Sequence, residues 1–99
     1  DVNKQRHGGM SALFMAAQAG QVKAARVLLE HQADSELCDQ QQCTPLIKAS
    51  QKGHVQVVAL LLGHGADIHR EAQGWTALKL SEATGHEEVA VLLREHGAT

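Results

Sequence analysis

Tyrosine is absent from this 99-residue chain, and its aromatics come down to one phenylalanine, Phe14, and one tryptophan, Trp75. A core this poor in aromatics must be filled mainly by Leu, Val and Ala, which suits closely packed helices better than a β-sandwich. No apolar run approaches the ~20 residues that a membrane span requires, so no membrane partner is expected. Cysteine is scarce as well. Two cysteines, Cys38 and Cys43, do not make a disulfide framework, and a reducing, intracellular compartment (cytoplasmic or nuclear) is expected. Charge of one sign is missing too. Nine basic against eleven acidic residues give a net charge of −2, with no basic stripe for nucleic acid and one tryptophan for stacking on bases. The mild imbalance is local: residues 1–52 carry six Lys/Arg and five Asp/Glu, and residues 53–99 carry three and six.

What the chain does contain is repetition. Ser11-Ala12-Leu13 returns as Thr44-Pro45-Leu46 and again as Thr76-Ala77-Leu78. Gly20 returns as Gly53 and Gly85, and His31-Gln32-Ala33-Asp34 returns as His64-Gly65-Ala66-Asp67 and as His96-Gly97-Ala98. The spacing is 33 residues and then 32 (11 to 44 to 76), so one residue is deleted between Asp67 and Trp75, where a loop tolerates the loss. Units of roughly 7–38, 39–70 and 71–99 are expected within a single domain covering 1–99.

Each unit reads as two short helices and a turn. Ser11, Thr44 and Thr76 have the hydroxyls of N-caps, and Pro45 stands at the first helical position, where its missing N–H costs nothing. Gly20, Gly53 and Gly85 end the first helix. The second helix carries the apolar payload, Val22 to Leu29, Val55 to Leu62 and Val89 to Leu93. Helices of eight to ten residues are marginal alone and gain stability by stacking, as in a solenoid.

These segments resemble the ankyrin repeat. Thr44-Pro45-Leu46-Ile47-Lys48-Ala49-Ser50, Gly53-His54-Val55-Gln56-Val57-Val58 and Leu60-Leu61-Leu62-Gly63-His64-Gly65-Ala66-Asp67 follow that family's pattern, and the resemblance spans essentially the whole chain. It implies an all-α solenoid of antiparallel helix pairs with β-hairpin fingers projecting at about a right angle. There are departures. Phe14, Ile47 and Lys79 replace the family's His after the Leu, and Gln32 and Gln42 stand where Gly is usual. Glu71 replaces the usual finger Asp beside the deletion, so a distorted second finger is expected. Repeat 3 substitutes Glu82, Glu87 and Arg94 for Ser50, Val55 and Leu62, as a solvent-facing C-terminal cap requires. Repeat 1 keeps Ala16, Ala17, Val22, Ala25 and Leu29, and Asp1-Val2-Asn3 matches the tail of an absent upstream unit. A monomer that self-associates weakly through a partly apolar N-terminal face is therefore expected.

No catalytic, cofactor or metal motif is present. There is no G-x-S-x-G, H-E-x-x-H, phosphate loop or EF-hand, and neither an enzyme nor a cofactor is expected. Five of the seven histidines fall at repeat positions: His31, His64 and His96 end second helices, and His54 and His86 open them. Cys38 and Cys43 supply at most half a zinc site. Two free thiols are the first expectation, and their places on opposite arms of a turn leave a cross-hairpin disulfide as the alternative.

The remaining reading is a protein-interaction module that takes a protein or peptide partner, acidic or polar in character. The alternative is a scaffolding segment of a longer or engineered array without its own ligand. The binding surface is expected in columns that vary while the Leu, Ala and Gly frame does not: the finger edge Met10, Cys43 and Trp75 with Gln40 and Gln41 at the tip; Gln18, Gln51 and Ala83; and Ala19, Lys52 and Thr84, with Lys48 one turn earlier. Lys48 and Lys52 read either as a solvated helix face or as a weakly basic groove. Trp75 reads either as an interaction anchor or as a cover for its own hairpin.

Overall fold

In the computed structural model, residues 11–99 are described. The expected position of Met10 and the Asp1-Val2-Asn3 segment lie outside them. Six helices form three consecutive pairs: α1 (Ala12–Ala19) with α2 (Val22–Glu30), α3 (Pro45–Lys52) with α4 (Val55–Gly63), and α5 (Ala77–Ala83) with α6 (Glu87–Glu95). Helices α1, α3 and α5 stack as an inner row, and α2, α4 and α6 stack as an outer row. This is the all-α solenoid that the repeats predict.

Local chemistry sets the helix ends. The hydroxyls of Ser11, Thr44 and Thr76 accept from the backbone N–H groups of Phe14, Ile47 and Lys79. Each satisfies one of the donors left free at a helix start. At the far end of the outer helices, the ring Nδ1–H of His31 donates to the Val27 carbonyl at 2.8 Å, and that of His96 to the Leu92 carbonyl at 2.9 Å. Leu13, Leu46, Phe14 and Ile47 fill the interior of the inner row, and Val57, Val58, Leu61, Val89 and Leu93 that of the outer row, all at most 1% exposed.

The expected distortion of the second finger does not occur. Its arms, β1 (Glu71–Ala72) and β2 (Trp75–Thr76), form the only two-stranded ladder among the described residues, antiparallel, with Glu71 opposite Thr76 and Ala72 opposite Trp75. Gln73 and Gly74 between them both take positive φ, 54° and 85°. That is the geometry of a two-residue turn whose twist matches a hairpin's. The deletion therefore tightens the finger. The first finger, Cys38 to Cys43, is a wider loop held by Asp39, whose Oδ1 accepts from the backbone N–H of both Gln41 and Cys43 at 2.9 Å.

Glu82, Glu87 and Arg94 are exposed, and Glu82 pairs with Arg94 across α5 and α6. Ala16, Ala17, Ala25 and Leu29 are buried, and Val22 alone of that set is half-buried.

Candidate functional site

A cleft of about 220 Å³ lies where the two fingers meet the inner row. The first finger contributes Gln41 and Cys43, and α3 contributes Lys48 and Gln51. The second finger supplies Ala72, Gln73 and Trp75, and α5 supplies Leu80. The cleft thus straddles two repeats, and neither repeat could form it alone.

Its polar side is organised by α3. Lys48 and Gln51 stand three residues apart on one helical face, and the Lys48 ammonium donates to Gln51 Oε1 at 3.1 Å. That contact holds a half-buried cation beside an apolar surface. Opposite them, Trp75 is 45% exposed although it belongs to the ladder. An exposed tryptophan presents a large rigid surface at low entropic cost.

Cys43 corrects the expected finger edge. Its side chain is 8% exposed and belongs to the apolar interior, so it floors the cleft instead of projecting from it. Burial raises its thiol pKa, the nearby Asp39 charge adds to the rise, and Lys48 opposes it. Both thiols are free, and the Cys38 Sγ points at Gln42 Oε1, 4.0 Å away.

The structure therefore brings Gln41, Cys43, Lys48, Gln51 and Trp75 together and leaves Gln18, Gln40, Lys52 and Thr84 outside. Gln40 is exposed at the first finger's tip, and Lys52 is exposed in the last turn of α3, where a cation favours the helix dipole. Gln18 is exposed, and its carbonyl accepts from His54. Thr84 turns its hydroxyl back to the Leu80 carbonyl at 2.7 Å, which ties it to its own helix. Sequence reasoning missed Ala72, Gln73 and Leu80. A signal for Leu80 exists, since it is the repeat equivalent of Lys48 and Met15, a column that varies as freely as those singled out. Among the described residues, no group of three or more His, Cys, Asp or Glu side chains converges to hold a metal ion, and no helix is long and apolar enough to cross a membrane.

A family model for ankyrin repeats, in three copies, matches residues 1–72. The chain is 33% identical over 97 residues to the probable 26S proteasome regulatory subunit p28 of Saccharomyces cerevisiae, covering 96% of this chain and 42% of that protein. It is 44% identical over 54 residues to the potassium channel AKT1 of Oryza sativa, covering 54% of this chain and 6% of the channel. It is also 32% identical over 91 residues to a Caenorhabditis elegans homolog of transient receptor potential cation channel subfamily A member 1, covering 92% and 8%. The chain spans less than half the length of each.

Proposed function

Because the chain belongs to the ankyrin-repeat family, whose members are generally non-catalytic protein-interaction modules, we propose that it holds a partner protein or peptide in the cleft between its fingers and inner helices. One observation carries this reading: an exposed Trp75 and a half-buried Lys48, supplied by different repeats, line one cleft. An apolar anchor beside a fixed cation suits a peptide that offers a carboxylate next to an apolar side chain. The relatives support a module more than a particular activity, since a proteasome subunit and two channels carry versions of it. The reading places the chain inside the cell, where the free Cys38 and Cys43 thiols stay reduced.

The test is affinity capture with the purified chain, repeated with Trp75→Ala and with Lys48→Glu/Lys52→Glu. Trp75→Ala is expected to weaken the captured partner by about 2 kcal/mol or more, as an interface hot spot does. The double charge reversal is expected to slow association and change its salt dependence. Partners retained equally by both variants, with circular dichroism unchanged, would remove the cleft from consideration. Retrieval of nothing specific would leave a scaffolding segment.

A further inference from the structure

The outer helices differ in a way the fold does not require. Helix α2 carries Lys23, Arg26 and Glu30, and α6 carries Glu87, Glu88, Arg94 and Glu95. Between them, α4 has no charged residue in nine, although Gln56, Ala59 and Gly63 are all exposed. A surface helix ordinarily turns charge toward water. Gly63 departs furthest. It lies in the last turn of α4, its φ is not in the left-handed range, and a Cβ added there would meet nothing within 4 Å. Neither backbone nor packing asks for glycine, which weakens a helix. The matching positions of the other outer helices hold Glu30 and Glu95.

A groove of about 460 Å³ runs along this face between α2 and α4. Val22, Ala59 and Leu60 form its apolar lining, and Arg26, Gln56 and His64 its polar lining. No carboxylate lines it. Arg26 and Lys23 stand three residues apart on α2, and neither joins a salt bridge among the described residues, with Glu30 included. Like charges at that spacing oppose one another on a helix. The face is thus an uncharged strip with Arg26 on its lining and Lys23 three residues before it on α2.

We propose that this groove is a second protein-docking surface, distinct from the finger cleft, and that its occupant is an acidic amphipathic helix of a partner protein. Small and apolar side chains of that helix lie against Ala59, Leu60 and Gly63, and its carboxylates face Arg26 and Lys23. A groove between two neighbouring helices takes the ridge of a third, and an amphipathic helix lays its apolar face into such a groove. A nine-residue α4, at ~1.5 Å per residue, offers about 13 Å of contact, two to three turns of the incoming helix.

The experiment titrates the isotopically labelled chain with two designed helical peptides that share one Leu/Ala face, one edged with Glu and the other with Lys. The Glu-edged peptide is expected to bind saturably and shift the amides of Val22, Ala59, Leu60 and Gly63. The Lys-edged peptide is expected to bind at least tenfold more weakly. Gly63→Glu, which installs the side chain of the other two repeats, should weaken binding tenfold or more without lowering the unfolding midpoint. Arg26→Glu should do likewise, and Trp75→Ala should bind as the parent chain does, which separates this surface from the cleft. Ala59→Arg, copying Arg26 of the first repeat, is the second groove variant should Gly63→Glu fail to fold. The proposal is overturned by equal affinity for both peptides, by shifts mapping to Trp75 and Lys48, by groove variants that bind normally, or by no saturable binding. Self-association of the free chain that Gly63→Glu abolishes would also overturn it, by making a second copy the occupant.

Discussion

The imidazole of His54 lies across Gly20 of the preceding helix pair, so close that a Cβ built on Gly20 would stand 2.7 Å from both its Cε1 and its Nδ1. From there its Nε2–H donates to the Gln18 carbonyl at 3.0 Å. That carbonyl sits near the end of α1, where orphan acceptors need partners. His86 repeats the arrangement over Gly53, where the nearest approach would be 2.5 Å. His54 therefore fastens the second repeat to the first, and Gly20 and Gly53 make room for the two imidazoles.

Gly20→Ala is accordingly expected to cost about 2 kcal/mol or more. A left-handed φ of 72° penalises any side chain by roughly 1–2 kcal/mol, and the imidazole must also move. Gly65→Ala is the control, since its φ of 82° is similar but a Cβ there meets nothing within 4 Å. Urea unfolding of both variants measures the difference. Equal losses would show that the histidine contact is slack.

Ser50 is fully buried, and its Oγ has no hydrogen-bond partner among the described residues. Its repeat equivalent Ala17 is equally buried and lacks the hydroxyl. An unsatisfied buried hydroxyl costs roughly 1–3 kcal/mol. Ser50→Ala is thus expected to stabilise the fold by about 1 kcal/mol, or a rise in Tm of roughly 4–8 °C for a domain of this size. A drop in Tm would mean that the hydroxyl is engaged after all.

The parts of this fold written in short-range chemistry were legible in the sequence. Ser11, Thr44 and Thr76 cap helices because a hydroxyl reaches an N–H three residues on, whatever surrounds it. Gln32 and Gln42, standing in usual glycine places, do adopt positive φ, 65° and 69°. The second finger was misread because its deletion was judged against a repeat template, whereas Gln73-Gly74 obeys the rule for a two-residue hairpin. The turning of His54 toward Gln18, 36 residues away, and the burial of Cys43 depend on how repeats stack, which periodicity alone does not contain. Half the cleft was visible as variable columns. Leu80 and Gln73 entered it only once α5 and the second finger were placed beside α3.

Stability should fall on the alkaline side through Cys43. Its folded pKa lies above the ordinary thiol value of 9.0. As pH rises past that value the unfolded chain releases the proton while the folded chain keeps it, so stability present below it is lost as pH climbs toward the folded pKa. Cys43→Ala is expected to flatten this alkaline slope, and Cys38→Ala to leave it. Iodoacetamide followed by mass spectrometry should modify the half-buried Cys38 first and reach Cys43 only on unfolding. Equal alkylation rates in the folded chain would contradict the burial argument.

Glu36 links the bases of the two fingers, and its backbone contact should matter more than its ion pair. Its Oε2 accepts from the Asp67 backbone N–H at 3.0 Å and from the Ser35 hydroxyl at 3.0 Å, while its Oε1 lies 3.5 Å from Arg70 Nη1. Asp67 in turn accepts from the His69 N–H at 3.0 Å, so the carboxylate anchors a turn that is itself locally bonded. The Arg70 pair is long and its side chains are 39% and 31% exposed, so solvent and salt screen most of its attraction. Arg70→Ala is therefore expected to change stability by less than about 0.5 kcal/mol. Glu36→Ala leaves the Asp67 N–H without its acceptor and should cost about 1 kcal/mol. Hydrogen exchange supplies the local readout: the Asp67 amide should exchange faster in Glu36→Ala and unchanged in Arg70→Ala. Because a short backbone bond responds little to ionic strength, that protection should persist at 1 M salt, where the Debye length is about 3 Å. If high salt or Arg70→Ala strips it instead, the ion pair holds the fingers together and outweighs the backbone contact.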